Sequence, residues 1–406
     1  VLARRHEEAI EKSREPADRG FRFSFDMLGE AAMTRTDAAR YLDRYRHAIQ
    51  ALRSTAQRSG KLFEQPGISV KLTALYPRFE YFKRSDVMAQ LLTPLAKLCT
   101  EARNAHLSVT IDAEEAERLD LMLDVFEALG NDDALKGWDG LGLAVQGYQK
   151  RALPLIAWLA DLARRQRRII PVRLVKGAYW DSEIKRGQEL GLADYPVFTR
   201  KIGTDVSYLA CARALLSAPH LIYPQFATHN AHTLAAVEAF AGENRNFEFQ
   251  RLHGMGEALY ELYDDVIGPS RPAVPTRIYA PGGGHEDLLS YLVRRLLENG
   301  ANTSFVNRLA NDKAPLEDII ADPVKRLEIA NPKRNPRIAK PEALFPGRRN
   351  SLGLMLSDPI TSKGLLSSMR WALASHPQTA HPIVNGTERV RETKPVLDPA
   401  DRRRQT

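Results

Sequence analysis

Short β-rich segments recur along the chain, and apolar residues at helical spacing fill most of the intervals between them. Intervals such as LDLMLDVFEAL (119–129) and VSYLACARALL (206–216) are typical of packed helices. Strand–helix alternation repeated eight times predicts a parallel (β/α)8 barrel. An open doubly wound sheet is the competing interpretation, but the GxGxxG motif that would support it does not follow the first segment. The eight predicted strands are FRFSFDML (21–28), GISVKLTALY (67–76), LSVTIDA (107–113), GLGLAVQGY (140–148), IPVRLVKGAYW (170–180), IYPQFATHN (222–230), FEFQRLHGM (247–255) and TRIYAPGGG (276–284).

The predicted strands share a second property, since each begins apolar and ends in polar or ionisable residues. A barrel gathers the carboxyl ends of its strands at one mouth, where active sites of this fold lie. Any one of these residues alone is more typical of a cap or a turn, whereas the whole series predicts a polar, ligand-binding mouth. The series is Asp26, Lys71, Asp112, Gln146, Lys176, Thr228 with His229 and Asn230, His253 and Tyr279.

The pattern changes in the last quarter of the chain. Prolines at positions 315, 323, 332, 336, 341 and 346 interrupt a basic, helix-poor stretch, which predicts a linker wrapped on the surface. Alternating apolar and polar positions in HPIVNGTERVRETKPVLDPADRR then predict the opening strands of another domain. Because the chain begins at Val1 without an initiator methionine, we expect a fragment. The predicted divisions are a helical lead-in (1–20), the barrel (21–308), the linker (309–350) and the start of a second domain (351–406).

The composition says more about the cellular compartment of the protein than about its biochemical function. The net charge of +8 suits nucleic acid, an anionic membrane or acidic ligands without choosing among them, and DNA binding would rest on that charge alone. The arginine clusters at 164–168, 348–349 and 402–404 are more typical of solvated surface. Two cysteines without a CxxC pair fit a reducing cytoplasm and argue against disulfides or structural zinc. No apolar run reaches the length of a membrane span, and no secretory leader opens the chain.

Three classes of enzyme could use the predicted mouth. A metal-dependent hydrolase would take ligands from His229, His253 and Asp112, although the HxH pattern common on barrel strands is absent. A Schiff-base lyase or aldolase would use Lys71 or Lys176 as nucleophile. An enzyme with an anionic cofactor fits the charge best. Its candidate cationic residues are Arg173, Lys176, Arg200, Lys201, Arg294 and Arg295.

The segment YLVRRLLENG (291–300) places two arginines within an aliphatic run. On a helix, Tyr291, Arg294, Arg295 and Glu298 share one wedge about 100° wide, and leucines fill the opposite side. Periodicity therefore favours an amphipathic helix whose arginines face water, with Arg294 and Glu298 as an i,i+4 pair. The alternative is that the two guanidinium groups form a fork for a carboxylate. The residues alone leave both interpretations open.

Several long motifs nevertheless resemble those of a known family. FSFDMLGEAAMT, SVKLTALYPR, IDAEEAERLDL, RLVKGAYWDSEIKR, ATHNAHT, FQRLHGMGE, RIYAP and YLVRRLLENGANTSFV closely resemble the proline dehydrogenase domain of bacterial proline utilisation A. The resemblance implies a distorted (β/α)8 barrel that holds FAD non-covalently, with its last helix over the barrel mouth. The side of this helix that carries Arg294 and Arg295 would then face the ligand. The tail resembles the linker, and VLDPADRR resembles the start of the aldehyde dehydrogenase module, whose NAD-dependent part would be missing.

The resemblance also implies roles for individual residues. Arg294 and Arg295 match the pair that grips the substrate carboxylate, while Glu30 and Glu298 match acidic residues beside basic neighbours. Catalytic positions by this match are Arg173, Tyr179, Lys71 and Asp112. The substrate pocket would add Tyr279, Tyr291, Leu252, Asp26 and Glu298. The flavin side would be formed by Asp112, Gln146, Arg173, Lys176, Gly177, Ala178, Tyr179, Trp180, Arg200, Thr228, His229 and Asn230.

The implied reaction is the oxidation of L-proline to 1-pyrroline-5-carboxylate, the first step of proline catabolism to glutamate, by hydride transfer to flavin N5. Electrons would pass to a membrane quinone, either ubiquinone or menaquinone. The protein is then expected to be cytoplasmic with peripheral contact to the inner membrane, and a homo-oligomer is compatible with the sequence. Nothing in the chain resembles the DNA-binding segment of some of these proteins.

Overall fold

Eight parallel strands form a closed barrel in the computed structural model, which describes residues 6–56, 60–267, 272, 274–284, 289, 291–295, 321–375 and 379–405. Each strand pairs with the next in sequence, and the last pairs with the first in the register Ser24↔Tyr279. The predicted barrel is therefore confirmed and the open sheet is wrong. The strands are β1 Arg22–Met27, β2 Gly67–Val70, β3 Ser108–Ile111, β4 Leu141–Gln146, β5 Ile170–Val175, β6 Ile222–Ala227, β7 Glu248–Leu252 and β8 Thr276–Gly282.

Helices fill the intervals between strands, as the apolar spacing predicted. The helices that precede, separate or follow the first seven strands are α1 His6–Asp18, α2 Arg35–Leu52, α3 Leu72–Leu75, α4 Arg84–Asn104, α5 Leu119–Gly130, α6 Ala152–Gln166, α7 Trp180–Glu189, α8 Lys201–Leu216, α9 Ala231–Ala241 and α10 Glu257–Ile267. Residues 291–295 are also helical. Among the described residues that come after the barrel, two further helices are present, α11 Pro323–Ile329 and α12 Pro359–Ser375. None of the helices in the described ranges has the length and apolar character that a membrane span needs.

The period of two along each strand separates an apolar outer face from a polar interior. In β1, Phe23, Phe25 and Met27 belong to the main hydrophobic core. The alternate residues Ser24 and Asp26 instead bond to side chains of other strands. Burial of the outward positions beneath the helices drives the fold, and the interior is left to hydrogen-bonded polar groups, as buried polar atoms require.

A network of charged side chains closes the amino end of the barrel. Arg277 Nε donates to Glu248 Oε1 at 2.6 Å, and a second guanidinium nitrogen reaches Oε2 at 3.0 Å. Arg277 also donates to the carbonyl of Phe23, and Arg22 donates to the hydroxyl of Tyr223 at 3.0 Å. Each of these residues occupies the first or second position of its strand. The polar mouth predicted from the sequence lies at the opposite, carboxyl end.

Two predicted strands are clearly too long. IPVRLVKGAYW was predicted to run to Trp180, but β5 ends at Val175 and Trp180 begins α7. GISVKLTALY was predicted to run to Tyr76, but β2 ends at Val70 and the next residues form α3. The Lys71 side chain turns to carboxylates on β1 and after β3, and the Tyr76 N–H closes a helical turn on the carbonyl of Leu72. Side-chain interactions across the barrel interior thus end the strand pairing of β2. The alternation of apolar and polar residues along the sequence does not reveal such interactions.

The region after the barrel is also more helical than predicted. Proline 323 starts α11 at a position that needs no N–H, and the Asp322 carboxylate caps the helix by accepting the N–H of Val324 at 2.8 Å. The chain divides into two compact units, Val1–Leu354 and Met355–Thr406. In the second unit, α12 was not predicted, and the expected strands are only two residues each, Ile383–Val384 and Thr387–Glu388. Both short strands lie within the stretch that was predicted to open another domain, and the domain boundaries stay predictions.

Candidate active site

The buried ammonium group of Lys71 is the centre of a polar network at the carboxyl mouth of the barrel. Lys71 Nζ donates to both carboxylate oxygens of Asp26, at 3.1 and 3.0 Å, and to Asp112 Oδ2 at 3.1 Å. Tyr279 donates its hydroxyl to the same Asp112 oxygen at 2.8 Å, and the other oxygen accepts from Arg173 at 2.6 Å. Polar residues within β1 and β8 and directly after β2 and β3 therefore form one network, as their positions predicted.

Arg173 crosses the barrel interior and ties this network to the layer beneath it. Its Nε donates to Gln250 Oε1 at 2.8 Å, and one terminal nitrogen donates to Ser24 Oγ at 3.1 Å and Ser69 Oγ at 3.0 Å. Its guanidinium also lies 5.0 Å from the centre of the Tyr279 ring. With every guanidinium nitrogen engaged, the side chain has one fixed orientation.

The charges within this cluster balance, two cations against two carboxylates, which is how buried charges are accommodated. Burial alone would raise the pKa of Asp112, but Lys71 and Arg173 hold it below its usual range, so this carboxylate stays ionised. Burial and the neighbouring Asp112 raise the pKa of Asp26 despite the opposing charge of Lys71. Burial would lower the pKa of Lys71, yet the carboxylates raise it well above the ordinary lysine value. Lys71 is therefore an ammonium ion at neutral pH.

A glutamine bridge joins the loops that follow β3 and β5. Gln146 Nε2 donates to the carbonyl of Glu114 at 2.8 Å, and its Oε1 accepts the N–H of Ala178 at 3.2 Å. The neighbouring Gly177 has φ +139°, and a Cβ there would come within 2.5 Å of the Tyr148 ring. Only glycine fits this backbone conformation and contact. The bridge and the glycine together bring the main chain of the β5 loop to the mouth.

Two buried carboxyl groups beside the bridge were not predicted from the sequence. Glu114 accepts the hydroxyl of Thr73, and Glu183 on α7 accepts the N–H of Ala116 at 2.6 Å. Burial raises the pKa of each glutamate to about 7. Folding therefore favours their protonated forms. Their contribution to stability is complete below the ordinary glutamate pKa and is lost as pH rises through about 7.

Polar residues predicted for one side of the mouth lie along the loops after β4 and β5. Lys176 pairs with Asp205 and lies 5.9 Å from the centre of the Tyr208 ring. Trp180 begins α7 and donates its indole N–H to the carbonyl of Phe198 at 2.9 Å. Both side chains are thus held in place by groups on neighbouring elements.

The remaining residues of this side cap two helices. Arg200 immediately precedes α8, and its Nε donates to the carbonyl of Arg334 at 2.9 Å. Asn230 caps α9 by accepting the N–H of Thr233 at 2.9 Å, and its own N–H donates to Thr228 Oγ1 at 3.1 Å. The N-termini of both helices lie beside polar strand ends, a position that suits an anionic ligand.

His229 links the end of β6 to the end of β7. Its Nε2 accepts the backbone N–H of Leu252 at 3.0 Å, so Nδ1 carries the proton. Burial, followed by the nearby charges of Arg295 and Arg251, lowers its pKa to about 4. The imidazole is therefore neutral at physiological pH and keeps one donor.

Replacing His229 tests this tautomer. Glutamine can place an oxygen where Nε2 accepts the N–H of Leu252, whereas asparagine is too short and leaves that buried donor unpaired. We expect His229→Asn to lower the free energy of unfolding by about 1–3 kcal/mol and His229→Gln to lower it clearly less. Urea denaturation followed by circular dichroism measures both. Equal losses in the two variants would contradict the assigned hydrogen bond.

The helical residues 291–295 lie over this mouth. Arg294 grips Glu30 with two parallel hydrogen bonds of 2.6 and 2.8 Å, and its guanidinium lies 5.1 Å from the centre of the Tyr179 ring. Burial opposes the charged form of Arg294, but the bonds to Glu30 outweigh it and raise its pKa. The guanidinium of Arg295 lies 5.4 Å from the centre of the Tyr291 ring. The interpretation from periodicity, that the arginine face meets water, is wrong for Arg294.

The apolar side of the same helical segment confirms this inverted orientation. Leu289, Leu292 and Val293 are 69%, 41% and 44% exposed, although periodicity alone would bury them. The arginine side therefore faces the molecule and the apolar side faces outward. Glu298, predicted to belong to the same wedge, lies outside the described residues.

Sequence reasoning missed the partners that position the predicted residues. Ser24, Ser69 and Gln250 hold Arg173, and each stands two positions before a predicted site residue on its own strand. The period of two within strands was the available signal, since it places them on the same inward face as Asp26, Lys71 and Leu252. Glu183 had no such signal, because it lies on a helix.

Comparison with known proteins gives the family. The model described as "Proline dehydrogenase" matches residues 9–308. "Bifunctional protein PutA" of Klebsiella aerogenes is 49% identical over 408 aligned residues, covering 97% of this chain and 31% of that protein. A crystal structure of a Bradyrhizobium japonicum proline utilization A (PutA) mutant has 48% identity and a TM-score of 0.84, covering 91% of this chain and 38% of that one. PutA from Bdellovibrio bacteriovorus inactivated by N-propargylglycine has 26% identity and a TM-score of 0.86, covering 100% and 42%.

This chain thus spans about a third of the length of the curated PutA relatives it matches. The match to the family model includes all eight strands and the helical residues 291–295, which carry Arg294 and Arg295. Identity at this level, together with the same closed barrel in solved relatives, leads to one conclusion: the chain belongs to the proline dehydrogenase family.

Proposed function

We propose that this chain oxidises L-proline to 1-pyrroline-5-carboxylate with non-covalently bound FAD. The observation that supports it best is the arrangement of two arginines over a mouth whose floor is a charge-balanced network of Lys71, Asp112 and Arg173. The family match and the likeness to PutA agree with it. When bound, FAD supplies the hydride acceptor, its N5 atom.

The residues on the β4 to β6 side suit a dinucleotide with a diphosphate. Lys176 and Arg200 contribute positive charge at the loops after β5 and before α8. The neutral His229 keeps its Nδ1–H as a donor. Gly177 brings main chain close to the mouth without a side chain in the way. These groups would hold FAD, and the aromatic surface of Trp180 would add a stacking partner.

The opposite side suits a small amino acid. The bidentate pair between Arg294 and Glu30 supports this, because a guanidinium with that geometry suits a carboxylate. In our proposal the carboxylate of proline binds Arg294 and Arg295. The apolar ring then lies against Tyr279, Tyr291 and Leu252. This pose would fix the ring carbon beside nitrogen and exclude water from it.

Proton transfer follows from the electrostatics of the network. A protonated amine has no lone pair with which to expel hydride, so proline must react as the free amine. The ionised Asp112 is bound to Lys71, Arg173 and Tyr279, and its lowered pKa makes it a weak base. In our proposal proline therefore enters already deprotonated, and the positive charge of Lys71 and Arg173 disfavours a protonated amine beside them.

Two parts of the proposal rest on the family resemblance. Electrons pass to ubiquinone or menaquinone, and the protein contacts the inner membrane peripherally. The other enzyme classes are less well supported. Lys71 is held as an ammonium ion and lacks the lone pair that imine formation needs. Within the described ranges, no three His, Cys, Asp or Glu side chains form a group that could hold a metal ion.

The visible spectrum of the purified chain tests the proposal. We expect a flavin absorbance that L-proline bleaches under anaerobic conditions, because reduction removes the oxidised chromophore. Glycine, which has the same carboxylate and amine but no ring, is the control and should leave the spectrum unchanged. A colourless protein that carries a metal would overturn the proposal, and so would an imine of Lys71 trapped by borohydride.

A further inference from the structure

Residues 333–339, which follow α11, lie against the barrel and will be called the docked segment. Three hydrogen bonds fix its main chain to residues distant in sequence. Arg200 Nε donates to the carbonyl of Arg334 at 2.9 Å, and the N–H of Asn335 donates to Thr199 Oγ1 at 3.0 Å. The hydroxyl of Tyr195 donates to the carbonyl of Ala339 at 2.8 Å. Such main-chain contacts order a segment that the sequence predicted to be a plain linker.

Apolar packing reinforces the hydrogen bonds. Ile338 packs against a small hydrophobic core that is separate from the core of the barrel. That core consists of Tyr148, Ile184, Tyr195 and Val197, and Trp180 also packs against it. Because Val197 is completely buried and Tyr195 is 1% exposed, loss of Ile338 would open well-packed apolar surface to water.

The docked segment therefore supports three groups that the proposed function assigns to FAD. It holds Arg200 directly through Nε, so the remaining guanidinium nitrogens keep a fixed direction for an anion. It supports Trp180 through the small core. The same core includes Tyr148, whose ring lies directly under Gly177. The family model ends at residue 308, and the docked segment follows that point.

We propose that the docked segment is a positioning element of the cofactor side and sets how long the protein retains FAD. This inference rests on the proposed function. A guanidinium and an indole already held in place lose less conformational freedom when they bind a ligand, so affinity rises without a new contact. Coupling of this kind is reciprocal, and bound FAD must in turn stabilise the docked segment against the barrel.

The experiment weakens the docking without changing any residue assigned to FAD or proline. Thr199→Val and Tyr195→Phe each remove one hydrogen bond to the docked segment, and the double variant removes both. Gln188→Ala is the matched control, because Gln188 donates to the same Tyr195 hydroxyl at 3.2 Å but lies on α7. Arg337→Ala removes an exposed side chain of the docked segment itself and is the second control.

The rate of FAD release after dilution is measured by the fluorescence of the free flavin. We expect the double variant to release FAD about tenfold faster than the parent, since two lost hydrogen bonds correspond to a factor of that order. Both controls should stay within about twofold. The kcat per bound flavin and the KM for proline should not change, because the two removed bonds run to the docked segment and not to a residue assigned to proline. Circular dichroism of the apoprotein establishes that each variant is folded.

Trypsin gives an independent readout through cleavage after Lys333, Arg334 and Arg337. In the parent, saturating FAD should slow this cleavage severalfold, and in the double variant the protection should be lost. Equal release rates in the parent and the folded double variant would overturn this inference alone. A parent chain that binds no FAD would overturn the proposed function and this inference together.

Discussion

Lys71→Met should lower the free energy of unfolding by about 3–5 kcal/mol at pH 7. The substitution keeps most of the side-chain volume and removes the ammonium that both Asp26 and Asp112 face at 3.0–3.1 Å. Two carboxylates would then share a buried site with only Arg173 to compensate them. Chemical denaturation followed by circular dichroism measures the loss.

Two comparisons separate this effect from the loss of any lysine. Lys136→Met removes a partner of Asp133 in an exposed pair and should leave stability unchanged within error. Lys71→Met combined with Asp26→Asn removes the uncompensated charge and should recover part of the loss. The deficit of Lys71→Met should also shrink as pH falls, because a buried carboxyl that has lost its cation gains a proton and with it becomes neutral. A deficit that does not depend on pH would contradict the electrostatic explanation.

Arg295→Met should raise the KM for L-proline about 10- to 100-fold, while FAD content stays close to that of the parent. Loss of a charge-assisted hydrogen bond to a carboxylate corresponds to a change of this size. Steady-state kinetics with a dye acceptor, together with the ratio of flavin to protein absorbance, measure the two quantities. Arg164→Met is the control, since Arg164 is 65% exposed on α6 and pairs with Asp161 on the same helix.

An unchanged KM in Arg295→Met would mean that this arginine does not meet the substrate. A loss of flavin in parallel with the rise in KM would instead assign Arg295 to the cofactor side. The contrast with the docked segment is useful, because there we expect faster flavin release without a change in KM.

The sequence alone was sufficient for the barrel and for much of its mouth, since both depend on patterns that are local in sequence. Strand–helix alternation identified the eight strands, and polar residues at strand ends identified Asp26, Lys71, Asp112 and Tyr279. In a closed parallel barrel the carboxyl ends of all strands lie at the same mouth, so side chains at those ends must lie near one another. No interaction energy had to be known for that inference.

The predictions that proved wrong depend on contacts between distant parts of the chain. The predicted second strand extended too far because Lys71 binds carboxylates across the barrel. Periodicity predicted which residues share each face of the helix that carries Arg294 and Arg295. It did not predict which face points inward, because the pair between Arg294 and Glu30 fixes that orientation. Prolines suggested a helix-poor linker, although Pro323 occupies the first turn of a helix, where proline is well tolerated.

The closure of the barrel has a consequence for protein synthesis. One edge of β1 pairs with β2 soon after both are made, but its other edge waits for β8, as in the pair Ser24↔Tyr279. At a translation rate of roughly 5–20 residues per second, the wait is on the order of ten seconds to a minute. During that time the nascent chain presents a β1 edge with unpaired main-chain groups, next to the apolar side chains of Phe23, Phe25 and Met27. We therefore expect the risk that β1 pairs with a wrong strand to be greatest while the chain is still on the ribosome.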